Sequence, residues 1–202
     1  MPRSLLLLGL VGLALTGCDD PFAILPATRE NRIDTLELYA ANGTALHLPS
    51  GYAIVAKDDE TRRGTIRIGL DPALIPNAPP FDFLYRIDAV DGPQFAVFGA
   101  VAPASPSQTT AGRPGLQTST QRFDEITEGQ QIGYTVDKPI NLTPGLVLFA
   151  RSALPNNCFL GIPYYAKIEI ISFDDVKRSV KFRALANTNC GYRGLLPGIP
   201  ER

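Results

Sequence analysis

Apolar and polar positions alternate along much of the chain, and that alternation is the period of a strand with one buried face. Thr65-Ile66-Arg67-Ile68-Gly69-Leu70 alternates residue by residue. Phe81-Asp82-Phe83-Leu84-Tyr85-Arg86-Ile87-Asp88 places Phe81, Phe83, Tyr85 and Ile87 on one face. Asp91-Gly92 then turns the chain, so that Gln94-Phe95-Ala96-Val97-Phe98 returns as the second arm of a hairpin. The best strand is Tyr164-Tyr165-Ala166-Lys167-Ile168-Glu169-Ile170-Ile171, with Lys167 and Glu169 on its polar face and one tyrosine ring on each side. A charged turn, Asp174 to Ser179, leads to its partner, Val180-Lys181-Phe182-Arg183-Ala184-Leu185.

The remaining elements are shorter. Ile33, Leu36, Leu38 and Tyr39 begin a strand that Asn42-Gly43, a hairpin dipeptide, is expected to fold back onto Ala45, Leu46 and Leu48. Pro49-Ser50-Gly51 breaks the chain before a strand at Tyr52 to Val55, and Lys57 to Gly64 reads as a solvated turn. The four prolines between Asp71 and Pro80 exclude regular structure there. Ala102 to Thr120 is rich in Ser, Thr, Pro and Gly, with Arg113 its only charge. It is expected to be a flexible loop: a lid, a partner-binding loop or a link between two halves. Arg122 to Ile126 forms a strand or a helical turn. Ile132 to Val136 and Ile140 to Leu142 are extended pieces, and Leu146 to Ala150 is a buried strand. Asn187 to Arg202 is loose unless something ties it down. No segment sustains a helical period over three turns, so the chain is expected to be all-β, an antiparallel β-sandwich or open barrel.

Composition agrees with many short strands. The 202 residues include 18 glycines and 18 prolines, no tryptophan, and a single methionine, Met1. The net charge of −1 and the lack of a basic patch with interleaved aromatics speak against a nucleic-acid partner.

The first eighteen residues stand apart. Arg3 gives a positive start, Leu5 to Ala14 is apolar, and Leu15-Thr16-Gly17-Cys18 ends the run just before Asp19-Asp20-Pro21. That run is too short for a membrane-spanning helix, which needs roughly 20 apolar residues, and it has the layout of a secretory signal. The closing Leu15-Thr16-Gly17-Cys18 resembles the lipobox of bacterial lipoproteins. The resemblance implies cleavage after residue 17, diacylglycerol on Cys18, and a chain held on a membrane and facing the periplasm or exterior. In that family an Asp in the position of Asp19 favours inner-membrane retention in some bacteria. Three parts follow: a signal peptide at 1–17, a lipidated tether at 18–31 and one β domain at 32–202.

With Cys18 carrying lipid, Cys158 and Cys190 remain as an even pair in an oxidising compartment. They are expected to form a disulfide, which would also tie down the tail. Two buried free thiols are the competing reading. One histidine and no further cysteine leave too few ligands for a zinc site. The last hairpin, from Tyr165-Ala166-Lys167-Ile168 to Val180-Lys181-Phe182, resembles the end of the HmuY-like haem-binding lipoproteins, which are also anchored and all-β. Their best-known mode holds iron between two histidines, whereas this chain has only His47. Haem binding therefore transfers to no residue here, and no cofactor is expected.

Candidate chemistry is sparse. His47 is the only imidazole for a hydrolase triad, and it lies between Leu46 and Leu48 with no sequence context marking a nucleophile. Asp58-Asp59 and Asp174-Asp175 are carboxylate pairs, but each lies in a charged turn and lacks the alternating ligands of a calcium loop. No phosphate-cradling glycine loop is present. Asn42-Gly43-Thr44 and Asn141-Leu142-Thr143 match the glycosylation pattern, but Asn42 is explained as a turn residue. The expected function is a non-catalytic, lipid-anchored domain binding a small ligand or another envelope protein. A structural or assembly lipoprotein is the alternative and a hydrolase the least supported. An apolar concavity with convergent polar groups would favour ligand binding, and an exposed edge or apolar patch would favour assembly.

Overall fold

Ten strands carry the fold in the computed structural model, which describes residues 25–55, 64–67, 81–101, 112–154 and 158–201. They are β1 (Ile33–Tyr39), β2 (Pro49–Ala53), β3 (Gly64–Arg67), β4 (Phe83–Asp88) and β5 (Gly92–Val97), followed by β6 (Gly115–Ser119), β7 (Ile140–Asn141), β8 (Val147–Arg151), β9 (Tyr165–Asp174) and β10 (Ser179–Asn187). One helical turn, α1 (Phe98–Val101), and a 3₁₀ turn at Phe123–Glu125 complete the described elements. The strands form two antiparallel sheets of five, ordered β1-β10-β9-β8-β6 and β3-β2-β4-β5-β7. The sheets do not close into a barrel, and of the two expected architectures the sandwich is the one observed.

Alternation decides what faces the centre. From the first sheet, Leu38, Leu148, Ala166, Ile168, Phe182 and Ala184 point inward. From the second, Tyr52, Phe83, Tyr85, Phe95 and Val97 meet them. Phe83 stacks on Tyr52 at 5.1 Å and lies tilted against Phe95 at 4.5 Å, and the Phe182 ring stands edge-on to Phe95 at 5.6 Å. The two long hairpins expected from the sequence are present, β4–β5 closing at Asp88↔Gly92 and β9–β10 at Asp174↔Ser179.

Several expectations need correction. Asn42-Gly43 does turn the chain, with Gly43 at φ 78°, but it makes no hairpin. β1 pairs along its whole length with β10, the last strand, while residues 40–48 form a loop and β2 joins the other sheet. Pro49-Ser50-Gly51 is not a break but the start of β2. Of the expected flexible loop at 102–120, residues 102–111 lie outside the described ones, whereas Gly115–Ser119 is β6, paired with β8. Within the segment expected as a tether, 18–31, Asn31 is 1 % exposed and pairs with Gly198, and residues 18–24 lie outside the described ones. The turn expected at 57–64 falls on undescribed residues up to 63, and the proline-rich stretch at 71–80 lies wholly outside the described residues.

The outer face of the first sheet is not the polar, solvated face that the alternation of Lys167 and Glu169 suggests. Residues 120–136 and the C-terminal tail cross over it and build a second apolar layer. In that layer Phe123, Ile126 and Leu195 cover Val147, Phe149, Tyr165 and Leu185. Both Tyr164 and Tyr165 are consequently buried, one in each layer.

Candidate functional site

β1 runs antiparallel to β10, so the two ends of the domain can be followed strand by strand. At one end lie residues 25–31, the tail from Asn187 onward and the disulfide. At the other lie the loop 40–48 and the turns 88–91 and 174–178.

The first end is built from polar side chains. Cys158 and Cys190 are joined, with Cα atoms 5.2 Å apart, and Cys158 is buried in the central core. Asn189, beside Cys190, accepts the backbone N–H groups of Thr28 (3.0 Å) and Arg29 (2.9 Å) on Oδ1 and donates Nδ2 to the Arg29 carbonyl (2.8 Å). The Tyr192 hydroxyl donates to the Leu25 carbonyl and accepts the Ala27 N–H, each at 3.1 Å. Asn31 exchanges two backbone hydrogen bonds with Gly198 and donates Nδ2 to the carbonyls of Gly194 and Leu196, both at 3.0 Å. Asn187 supports the assembly, accepting from Asn189 and donating to the Gly194 carbonyl. The tail, tied down through Cys190 as expected, is also the seat of the chain's N-terminal segment.

Asp82 lies buried at this same end. Its carboxylate accepts the Ile54 N–H (2.7 Å) and the Ala153 N–H (3.2 Å), joining β2's exit in one sheet to β8's exit in the other. Burial pushes its pKa up to about 7, against the lowering pull of the two amides. The sequence placed Asp82 on a polar strand face and gave no sign of a buried carboxyl.

Three cations lie in or beside the second apolar layer, Lys167 and Arg151 buried and Arg183 half-buried. Lys167 is 2 % exposed, donates to the Ile126 carbonyl at 2.8 Å and sits 4.7 Å from the Phe123 ring centre. Burial pulls its pKa below the ordinary lysine value, while Asp124 opposes that shift. Arg183 stacks on the same ring at 4.2 Å and bonds Glu169 and Asp124. Arg151 lies 4.9 Å from the Tyr134 ring centre. These groups act as packing and bracing, since each described contact satisfies a buried or half-buried charge.

Among the described residues, the groups weighed for catalysis in the sequence, His47 and Asp174-Asp175, do not come together. His47 is exposed in the 40–48 loop, not on a strand. Asp174 caps its own turn by accepting the Lys177 N–H at 3.0 Å and pairs with the Lys177 ammonium. Asp58 and Asp59, like Cys18, lie outside the described residues. Among the described residues, no three His, Cys, Asp or Glu side chains cluster to hold a metal ion, and no helix is long and apolar enough to cross a membrane. A cavity of about 670 Å³ lies along the tail, between Thr127-Glu128 and residues 191–201, with Leu196 and Ile199 exposed beside the Arg193–Glu128 ion pair.

The opposite end presents apolar tips. Leu46 is 66 %, Val90 91 % and Val176 95 % exposed, one on each loop. Asn42 ties the loops together: it exchanges hydrogen bonds with the Ile87 backbone, and its carbonyl accepts from Arg178 Nη2.

Compared with known proteins, the chain matches no family model, no curated protein and no solved structure.

Proposed function

We propose that this is a lipid-anchored protein of the bacterial cell envelope whose β-sandwich binds a target without transforming it. The observation that carries the reading is the distribution of its three cysteines. Cys158 and Cys190 are bonded to each other, which suits an oxidising compartment. Cys18, at the end of the apolar run, is left for lipid. Burying acyl chains at about 0.8 kcal/mol per CH₂ makes a multi-chain anchor effectively permanent. Binding rather than catalysis is supported by how these described ionisable groups are employed: Asp82, Lys167, Glu169 and Arg183 are engaged in bonds that brace the fold, between layers or between neighbouring strands.

The target is a small ligand or another envelope protein. A structural or assembly role is the second reading, favoured by the exposed Leu46, Val90 and Val176 on three tied loops.

Intact mass measurement tests this reading on the full-length chain expressed in a bacterium with a lipoprotein pathway. The expected product lacks residues 1–17, carries acyl groups on Cys18, stays with the membrane fraction and is about 2 Da below its reduced formula. Cys18→Ser should release the domain from membranes. An unacylated chain, or one cut elsewhere, overturns the anchoring. A native mass spectrum of the Cys18→Ser domain reports any co-purified ligand or discrete oligomer.

A further inference from the structure

We propose that the C-terminal tail is a clasp that shortens the protein's own tether, fixing how far the domain stands from the membrane. The inference rests on the anchoring proposed above for its membrane consequence, and on the geometry alone for the clasp.

The held segment has little apolar reason to stay where it is. Leu25 is 65 % exposed, and Pro26, Thr28 and Glu30 are exposed as well. The described hydrogen bonds of residues 25–29 converge on two side chains, Asn189 and Tyr192. Net hydrogen-bond contributions are modest when water can replace them, so a strand held this way opens more easily than one held by a buried face. The seat is firmer than the strap. Tyr192 and Asn189 are each 6 % exposed, Leu195 is fully buried, and Cys190 is bonded to the central core through Cys158. Asn31, 1 % exposed and bonded to Gly194, Leu196 and Gly198, marks where the clasp ends and the fold begins.

The arrangement changes reach. A chain extends at most about 3.4 Å per residue. From Cys18 to Leu25 the closed clasp therefore leaves a leash of at most about 24 Å, whereas a chain free up to Asn31 reaches about 44 Å. Opening the clasp roughly doubles the leash without disturbing either sheet.

The test uses the full-length acylated protein in phosphatidylethanolamine–phosphatidylglycerol vesicles. Tyr192→Phe removes the hydroxyl that bridges Leu25 and Ala27 while keeping the buried ring. Asn189→Ala removes the bonds to Thr28 and Arg29. Hydrogen exchange is read at the amides of Ala27, Thr28 and Arg29, with β9 and β10 amides as the control for folding. Energy transfer from a dye on the exposed turn at Val176 to a dye in the bilayer reads the reach. The expected result is slow exchange in the parent, at least about tenfold faster exchange at those amides in the variants with the sheets unchanged, and weaker energy transfer. Fast exchange at Ala27 to Arg29 in the parent overturns the clasp. Exchange that rises in the variants while energy transfer stays constant overturns its control of reach. If Cys18 proves unacylated, the anchoring reading has failed, and exchange in the soluble protein alone decides whether the clasp exists.

Discussion

Replacing Asp82 with Asn should remove most of the pH dependence of stability between pH 4 and pH 7. Asp82 is 7 % exposed, and its carboxyl titrates at about 7 in the fold, against 3.8 for an ordinary Asp side chain. The folded state therefore holds a proton that the unfolded state has released across that window. Stability from this group is fully present below pH 3.8 and is lost as pH rises through 7. Roughly three pH units at about 1.4 kcal/mol each set an upper bound of about 4 kcal/mol. For a domain of this size that corresponds to about 8–16 °C in melting temperature. Asp88 and Asp174 have lowered pKa values, so their contributions fade only as pH falls below the ordinary Asp range. Urea unfolding of the disulfide-bonded domain, measured every half pH unit, is the assay. The parent should lose stability steadily from pH 4.5 to 7.5, and Asp82→Asn should be nearly flat. At pH 5 the variant should be weaker by about 1–3 kcal/mol, because an amide NH₂ faces one of the two backbone N–H groups that the carboxyl accepts. At pH 8 that difference should shrink or reverse. A parent whose stability is constant across the window, or a variant that keeps the same slope, refutes the reasoning.

Three other perturbations probe different layers. Cys158→Ser opens a loop spanning 32 residues and should cost about 3–4 kcal/mol while leaving Cys190 reactive to a maleimide; equal melting temperatures for mutant and oxidised parent sink the idea. Phe182→Ala, at the meeting point of Tyr52, Phe83 and Phe95, should cost about 3–5 kcal/mol in denaturant unfolding, and a loss under 1 kcal/mol would contradict the packing. Gly129→Ala places a methyl 2.7 Å from Tyr165 Cβ, so the crossing segment must shift at a cost of about 1–3 kcal/mol; an unchanged midpoint shows that the second layer is looser than described.

What the sequence made legible was local. The β4–β5 and β9–β10 hairpins combine alternation with a turn only a few residues long, so pattern and pairing coincide. The pairing of β1 with β10 spans nearly the whole domain and leaves no short-range mark. There Asn42-Gly43 offered a local answer that the fold declines, spending the Asn42 side chain on the Ile87 backbone. Periodicity also cannot tell a face that meets water from one that meets a second layer. Lys167 and Glu169 alternate as on any solvated strand, yet Phe123 and Ile126 close over Lys167. At the clasp the functional atoms belong to asparagines and a tyrosine, residue types that turns and surfaces also use freely. Only the cysteine pair hinted that the tail was held, and it located Cys190 without revealing what Asn189 beside it would grip.

The adjacency of the first and last strands bears on how the chain matures. On the export proposed above, a chain threaded from its N-terminus delivers β1 to the far side of the membrane long before β10 arrives to pair with it. Meanwhile the central strands can form their hairpins, but the sheet holding β1 stays unfinished and its apolar positions stay uncovered. Non-local pairing of this kind is slow and exposes edges to aggregation. On that reading the nascent domain has a vulnerable interval that ends only when β10 has emerged to pair with β1. A chaperone that shields unpaired strands would act within that interval, and truncations that remove β10 should yield insoluble chains rather than smaller folded ones.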